Sequence, residues 1–207
     1  MEKAEGRGQP ADEYPWGIVK PMPEELPFTE DPEANRLLAA NPLALLIGML
    51  LDQQFPMERA FYSPHLLAER LGAPLEASTI ARLDTERLHE IFKGPPALHR
   101  FPGSMADRCQ ALCRQIADEY RGDAARIWRE ADDGADLVRR LQALPGFGKA
   151  KARIFTGVVG KRLGEGPPGW EAAAADWPSI ADVDEFEKVY ELREQKRAMK
   201  AKKRDAG

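Results

Sequence analysis

The sequence predicts an all-α fold. Apolar residues recur every three or four positions from about residue 33 to residue 163, the spacing of one helix face. No segment keeps the strict period of two that marks a half-buried strand. Residues suited to starting and stopping helices punctuate the pattern at short intervals.

Taken in order, residues 1–32 hold six prolines among acids and small residues, so this stretch is expected to be a flexible N-terminal segment. Trp16, Ile18 and Val19 are its candidate points of attachment to the body. Asn41 caps and Pro42 opens "LALLIGMLLDQQ", which is apolar on every side and belongs in the middle of a core. A second helix is expected from Met57 to Leu71, interrupted near Ser63-Pro64. Ser78 and Asp84 are the caps expected for the next two, with Gly94 as the stop. Ser104 and Asp107 have the spacing of a capping box for a helix that presents Cys109, Leu112, Cys113, Ile116 and Tyr120 on one face and ends at Gly122. "DAARIWREA" is a short helix. Leu137, Val138, Leu141 and Leu144 stripe the helix that follows, and Ile154, Phe155, Val158, Val159 and Leu163 stripe its partner. Residues 164–179 read as a Gly/Pro/Trp loop, and a last helix is expected from near Asp182 into a basic tail at 201–207. From Glu191 onward seven Lys/Arg stand against three Asp/Glu.

The composition is that of a globular chain: 207 residues, 43% hydrophobic, 31% charged, net charge -4. No global field draws such a chain to DNA or to an acidic membrane, so anion binding requires a local patch. The two cysteines complete neither a disulfide framework nor a zinc site, and no metal is expected. The longest apolar run, Pro42–Leu51, is about half a membrane span. No signal pattern opens the chain, so a cytoplasmic protein with no membrane partner is expected.

The stretch with most chemical content is "LQALPGFGKAKARIF", residues 141–155. Helix, then Pro145-Gly146-Phe147-Gly148, then helix makes a hairpin whose glycines permit a sharp bend and close approach of another molecule. The helix leaving the turn presents unpaired N–H groups at its positive end, which suits a phosphate. Gly146, Gly148 and Lys149 would aim amides at it, and Lys149 and Lys151 would add charge. Such a contact grips the backbone without reading sequence. A plain helical hairpin whose turn is rich in Pro and Gly is the bland alternative.

Together with "NPLALLIGMLLDQQ" upstream and "WPSIADVDEF" downstream, this stretch resembles the HhH-GPD superfamily of base-excision DNA glycosylases. Endonuclease III and the adenine-mismatch and 3-methyladenine glycosylases belong to it, as does a small bacterial HhH-GPD-type subgroup. The resemblance covers about residues 35–200, within an expected domain at 33–200 whose hairpin is 137–163. It implies a monomeric protein acting on double-stranded DNA in base-excision repair, nucleoid-associated when bound. Gln53 and Gln54 would fill the gap left by a flipped base. A carboxylate, Asp182 or Asp184, would stabilise the sugar cation or activate water as the base departs, with Asp182 the better match. Asp182 is equally placed to cap the last helix, with Glu185 completing a capping box.

The chain departs from the family pattern in three places. Where backbone-cutting members carry a Schiff-base lysine it has Ala150, so a monofunctional glycosylase is expected. No cysteine follows Cys113, so no iron–sulfur cluster and no cofactor are expected. The segment between hairpin and aspartate is longer, by roughly "GEGPPGWEAAAA", and Trp170 or Trp177 there is a structural plug or a base-stacking wall. A non-catalytic DNA-binding protein with a degenerate site is the competing reading.

Overall fold

The computed structural model describes residues 23–205, and every regular element among them is helical. The attachment expected of Trp16, Ile18 and Val19 lies outside the described residues. Leu26 and Phe28 are fully buried, so the chain joins the core well before residue 32, earlier than its proline content implies. Asp31 accepts from the amides of Glu33 and Ala34 and starts α1 (Pro32–Ala40). Asn41 then ends α1 and caps α2 (Pro42–Leu51), the two meeting at a bend of 113°. No single helix among the described residues is long and apolar enough to cross a membrane.

Residues Leu43 to Leu51 of α2 are all buried, and α1 and the helices Met57–Leu71 and Pro102–Glu119 pack against it. Gly48 lets α3 (Met57–Leu71) lie close, since a Cβ there would stand 2.6 Å from the Phe61 ring. α3 runs unbroken through Pro64, where an interruption was expected. Ser63 Oγ donates to Arg59 O and Leu98 O, tying the helix at that point to the loop beside it.

α4 (Ala77–Arg82) starts after Glu76, so Ser78 lies inside it rather than capping it. Asp84 caps α5 (Thr85–Lys93) as expected, and Gly94 ends it. α6 (Pro102–Glu119) begins two residues before Ser104, because Pro102 occupies the first turn, and buries Cys109 and Cys113. It ends at Glu119, and Gly122, at φ +81, closes the end by donating to Ile116 O.

α7 (Arg126–Arg129) is a single turn. α8 (Gly134–Gln142), capped by Asp133, and α9 (Lys149–Val158) form the hairpin. α9 continues into a π-helical turn, Val159–Leu163. The expected loop at 164–179 contains α10 (Trp170–Ala173), where Trp170 is wedged between Gly160 and Gly166, neither of which has room for a side chain. A 3₁₀ turn, Ile180–Asp182, precedes α11 (Glu187–Asp205), which starts five residues later than expected.

Candidate nucleic-acid interface

The hairpin turn is built around Phe147, which is buried and stands edge-on to Phe155 at 6.1 Å. With that side chain held inward, the flanking Gly146 and Gly148 are pushed to the surface. Gly146 adopts φ +80, and a Cβ there would collide with Leu50 Cδ1 in the core. Gly148 has an ordinary extended φ and open space where its Cβ would be. It is the N-cap of α9, and no side chain caps that end, as at α3, α4 and α6, whereas Asp31, Asn41, Asp84 and Asp133 cap α1, α2, α5 and α8. The first-turn amides of α9 are thus open to an outside acceptor. Lys149 is exposed beside them.

Lys151 departs from the expected role. It turns inward and donates to Met49 O at 2.6 Å and Leu50 O at 3.0 Å, placing its ammonium on the negative end of the α2 dipole. Burial lowers its pKa to about 8, Asp52 acts in the opposite direction, and Arg108 lowers it further. Burial likewise raises the Asp52 carboxyl, against the pull of Lys196 and Lys151. Lys151 therefore joins the hairpin to the core helix instead of reaching for a phosphate.

That junction brings the end of α2 against the hairpin. Gln53 and Gln54 lie in the turn after α2 rather than in the helix, and they behave differently. The Gln53 amide donates to Leu50 O at 2.7 Å and faces Met105 Sδ at 3.6 Å, while its carbonyl accepts from Arg108 at 3.0 Å. It is fully occupied within the protein. Gln54 is exposed and held at φ +53, a left-handed conformation that is uncommon for a residue with a side chain.

Sequence reasoning missed the partner of that turn. Phe101, 44% exposed, stands at the start of α6 with Arg100 over its ring at 4.8 Å. A cavity of about 250 Å³ lies between the two loops, walled by Gln53, Gln54, His99, Phe101, Met105 and Arg108. Arg59 covers Phe55, whose ring meets His99 at 4.7 Å in a tilted contact. Three exposed cations (Arg59, Arg100 and Arg108) thus stand around this cavity in a chain whose net charge is -4. The one local clue to Phe101 was an aromatic residue directly before the proline that opens a helix.

The expected catalytic residues lie elsewhere. Asp182 closes the 3₁₀ turn: its Oδ2 accepts from Ser179 N at 2.9 Å in a capping box, and its Oδ1 pairs with Lys161. It does not cap α11, which starts at Glu187; with Ser179 as N-cap it closes the 3₁₀ turn. Partial burial pushes its carboxyl up, but Lys161, Ser179 N–H and Arg162 together hold it below the ordinary carboxylate value. It lines a cavity of about 470 Å³ that also includes Trp177, Asp176, Glu191 and Gln195. Trp177 is exposed with Arg153 over its ring at 4.9 Å, while Trp170 is the plug described above. Asp184 is exposed and paired with Lys188 at 2.5 Å, which holds its carboxyl low. Lys161 follows Lys149 by twelve residues of nearly continuous helix, so at 1.5 Å per residue about 18 Å of axis separates the Asp182 site from the hairpin amides.

No family model, curated protein or solved structure matches the chain.

Proposed function

We propose that this protein is a DNA N-glycosylase that hydrolyses the bond between a damaged or mismatched base and its sugar. The observation that carries the reading is that Lys151 ties the uncapped α9 N-terminus, with Lys149 next to it in the chain, to the end of α2, beyond which the strained Gln54 shares a cavity with the exposed Phe101. Backbone amides and a cation suit a phosphate, while an exposed polar side chain beside a partly exposed aromatic suits the gap left by an extruded nucleotide. Gln54 alone, not the pair of glutamines, is free to enter it.

In this reading the extruded nucleotide reaches the cavity that contains Asp182. The carboxylate, kept ionised by Lys161 and Ser179 N–H, stabilises the positive charge that develops at C1′ as the C–N bond breaks. Water supplies the new C–O bond, and its proton leaves with the base. The Trp177 indole offers a face on which a base can stack. Ala150 and the Lys151 amine, committed to two carbonyls, leave water as the nucleophile at the hairpin position, and the Lys161 amine at the cavity is paired with Asp182. The spacing of about 18 Å along α9 would put the gripped phosphate several nucleotides from the reacting sugar.

A second reading, a binding protein without catalysis, is favoured by one observation: both Asp182 oxygens already have partners inside the protein. One assay separates the two. Duplexes carrying uracil, alkylated, oxidised or mismatched bases are incubated with the protein and with the Asp182→Asn and Asp184→Asn variants. Free base released by the wild type and by Asp184→Asn, but not by Asp182→Asn, supports the glycosylase with Asp182 as its carboxylate. Binding without release across the panel supports the second reading. An adduct trapped by borohydride would refute water as the nucleophile.

A further inference from the structure

His99 sits behind both probing loops, 1% exposed, and each ring nitrogen has a partner of fixed character. Nε2 lies 3.0 Å from Gln53 O, which can only accept. Nδ1 lies 3.0 Å from Phe101 N, which can only donate. The ring must therefore be neutral, with its hydrogen on Nε2. One bond reaches the turn that carries Gln54, and the other sets the backbone of Phe101 itself. The Phe55 ring lies 4.7 Å from that of His99, tilted by 47°, and Phe101 lies 6.0 Å from it, so the imidazole is a wedge filling the space between the loops.

We propose that His99 is a positioning residue that holds the Gln54 turn and the Phe101 loop in register, and that a second proton on its ring releases them. The inference rests on the reading of this face as the one that meets DNA. A proton on Nδ1 would point at the Phe101 N–H, replacing an acceptor with a donor and leaving that amide unpaired. The surroundings resist that proton. Burial lowers the pKa of the ring; the carbonyls of Gln53 and Leu51 raise it, and Lys151 of α9 and Arg100 beside it lower it again. Arg108 of α6 lines the shared cavity, Arg59 of α3 lies over Phe55, and Asp52 precedes Gln53. Because the folded pKa lies below 6.5, the neutral bridge is intact above pH 6.5 and is lost as the pH falls through the folded value.

The sign of the effect makes it testable. Acidification reduces the net negative charge of the chain, -4 at pH 7. Simple electrostatics therefore tightens DNA binding as the pH falls, while release of the two loops weakens it. Two measurements on the full chain are needed. The first follows the Phe101 amide by ¹H–¹⁵N NMR from pH 8 to pH 5 without DNA. The second follows affinity for a duplex containing an abasic site over the same range, in wild type and in His99→Gln, whose amide keeps a donor for Gln53 O but does not titrate. Circular dichroism confirms that each remains folded.

The expected result is a Phe101 amide that titrates below pH 6.5 and a wild-type affinity that falls roughly tenfold, the equivalent of one charged hydrogen bond. His99→Gln should bind with unchanged or rising affinity. A Phe101 amide that does not move overturns the proposal whatever the DNA result. A moving amide with firm DNA binding that does not weaken also overturns it and leaves the interface reading standing. No DNA binding at any pH overturns the interface reading itself and, with it, the role assigned to His99.

Discussion

The two exposed glycines of the hairpin turn provide a paired test, because the same substitution should do opposite things at each. Gly146→Ala places a Cβ on a residue at φ +80 and drives it into Leu50 Cδ1. The left-handed backbone costs about 1–2 kcal/mol for an L side chain, and displacing a fully buried leucine adds about 1–3 kcal/mol. The sum, about 2–5 kcal/mol, lowers Tm by roughly 5–15 °C in a chain of this size. Gly148→Ala meets no atom within 4 Å and needs no unusual φ, so its cost is about 1 kcal/mol or less, from a poorer N-cap. If a phosphate seats on the α9 amides, however, the new methyl stands in its approach and affinity for duplex DNA falls about tenfold or more. Thermal unfolding followed by circular dichroism gives the first number, and fluorescence anisotropy with a labelled duplex gives the second. Equal losses of Tm at the two sites would refute the packing argument. Unchanged DNA affinity in Gly148→Ala would refute the phosphate seat.

Further outcomes follow from the other charged groups. Lys149→Ala should leave stability within about 0.5 kcal/mol and reduce the slope of log affinity against log salt by about 1; an unchanged slope removes Lys149 from the interface. Lys151 binds fewer protons folded than unfolded between pH 8 and 10.5, so wild-type stability should rise relative to Lys151→Met across that window. The drop from 10.5 to about 8, at 1.36 kcal/mol per unit, sets a ceiling of about 3 kcal/mol. A flat difference in chemical denaturation would show that the amine is not desolvated. Asp136, buried and bonded to Asp132 N, Arg139 and Arg140, should lose about 1–3 kcal/mol as Asp136→Ala. Burial raises its carboxyl, but those partners hold it below 3.8. Its contribution is therefore present above pH 3.8 and lost as the pH falls through the folded value, and acid unfolding of the variant should be correspondingly less steep.

The parts of the fold that depend on neighbours in the chain were legible. Asn41-Pro42 before an unbroken apolar run marked the start of the core helix, and Asp84 and the Pro-Gly turn at 145–148 were read correctly. The errors at helix starts came from choosing between local signals: Pro102 outranked the Ser104 box, and Asp182 closed a 3₁₀ turn capped by Ser179 instead of opening the last helix. The roles that depend on residues distant in the chain were not legible. Lys149 and Lys151 look equivalent in sequence, and only the arrival of α2, some hundred residues upstream, separates the exposed one from the buried one. The same holds for Gln53 and Gln54, distinguished by Arg108, and for His99, whose meaning lies in Gln53 O, 46 positions away. The all-helical class was accessible because it is a sum of local preferences; the candidate site is made of crossings between segments.

Trp170 pressed between Gly160 and Gly166 has a consequence for how such a sequence can change over generations. Gly134 is bound to the same element, since a Cβ on it would stand 2.7 Å from Trp170 Cα. A methyl gained at position 160 or 166 evicts the indole, and a smaller residue at 170 leaves a void that the glycines cannot fill. Neither step is tolerable alone, whereas the combined change restores a packed loop. Related chains should therefore keep Trp170 together with both flanking glycines or lack all three, and mixed combinations should be rare.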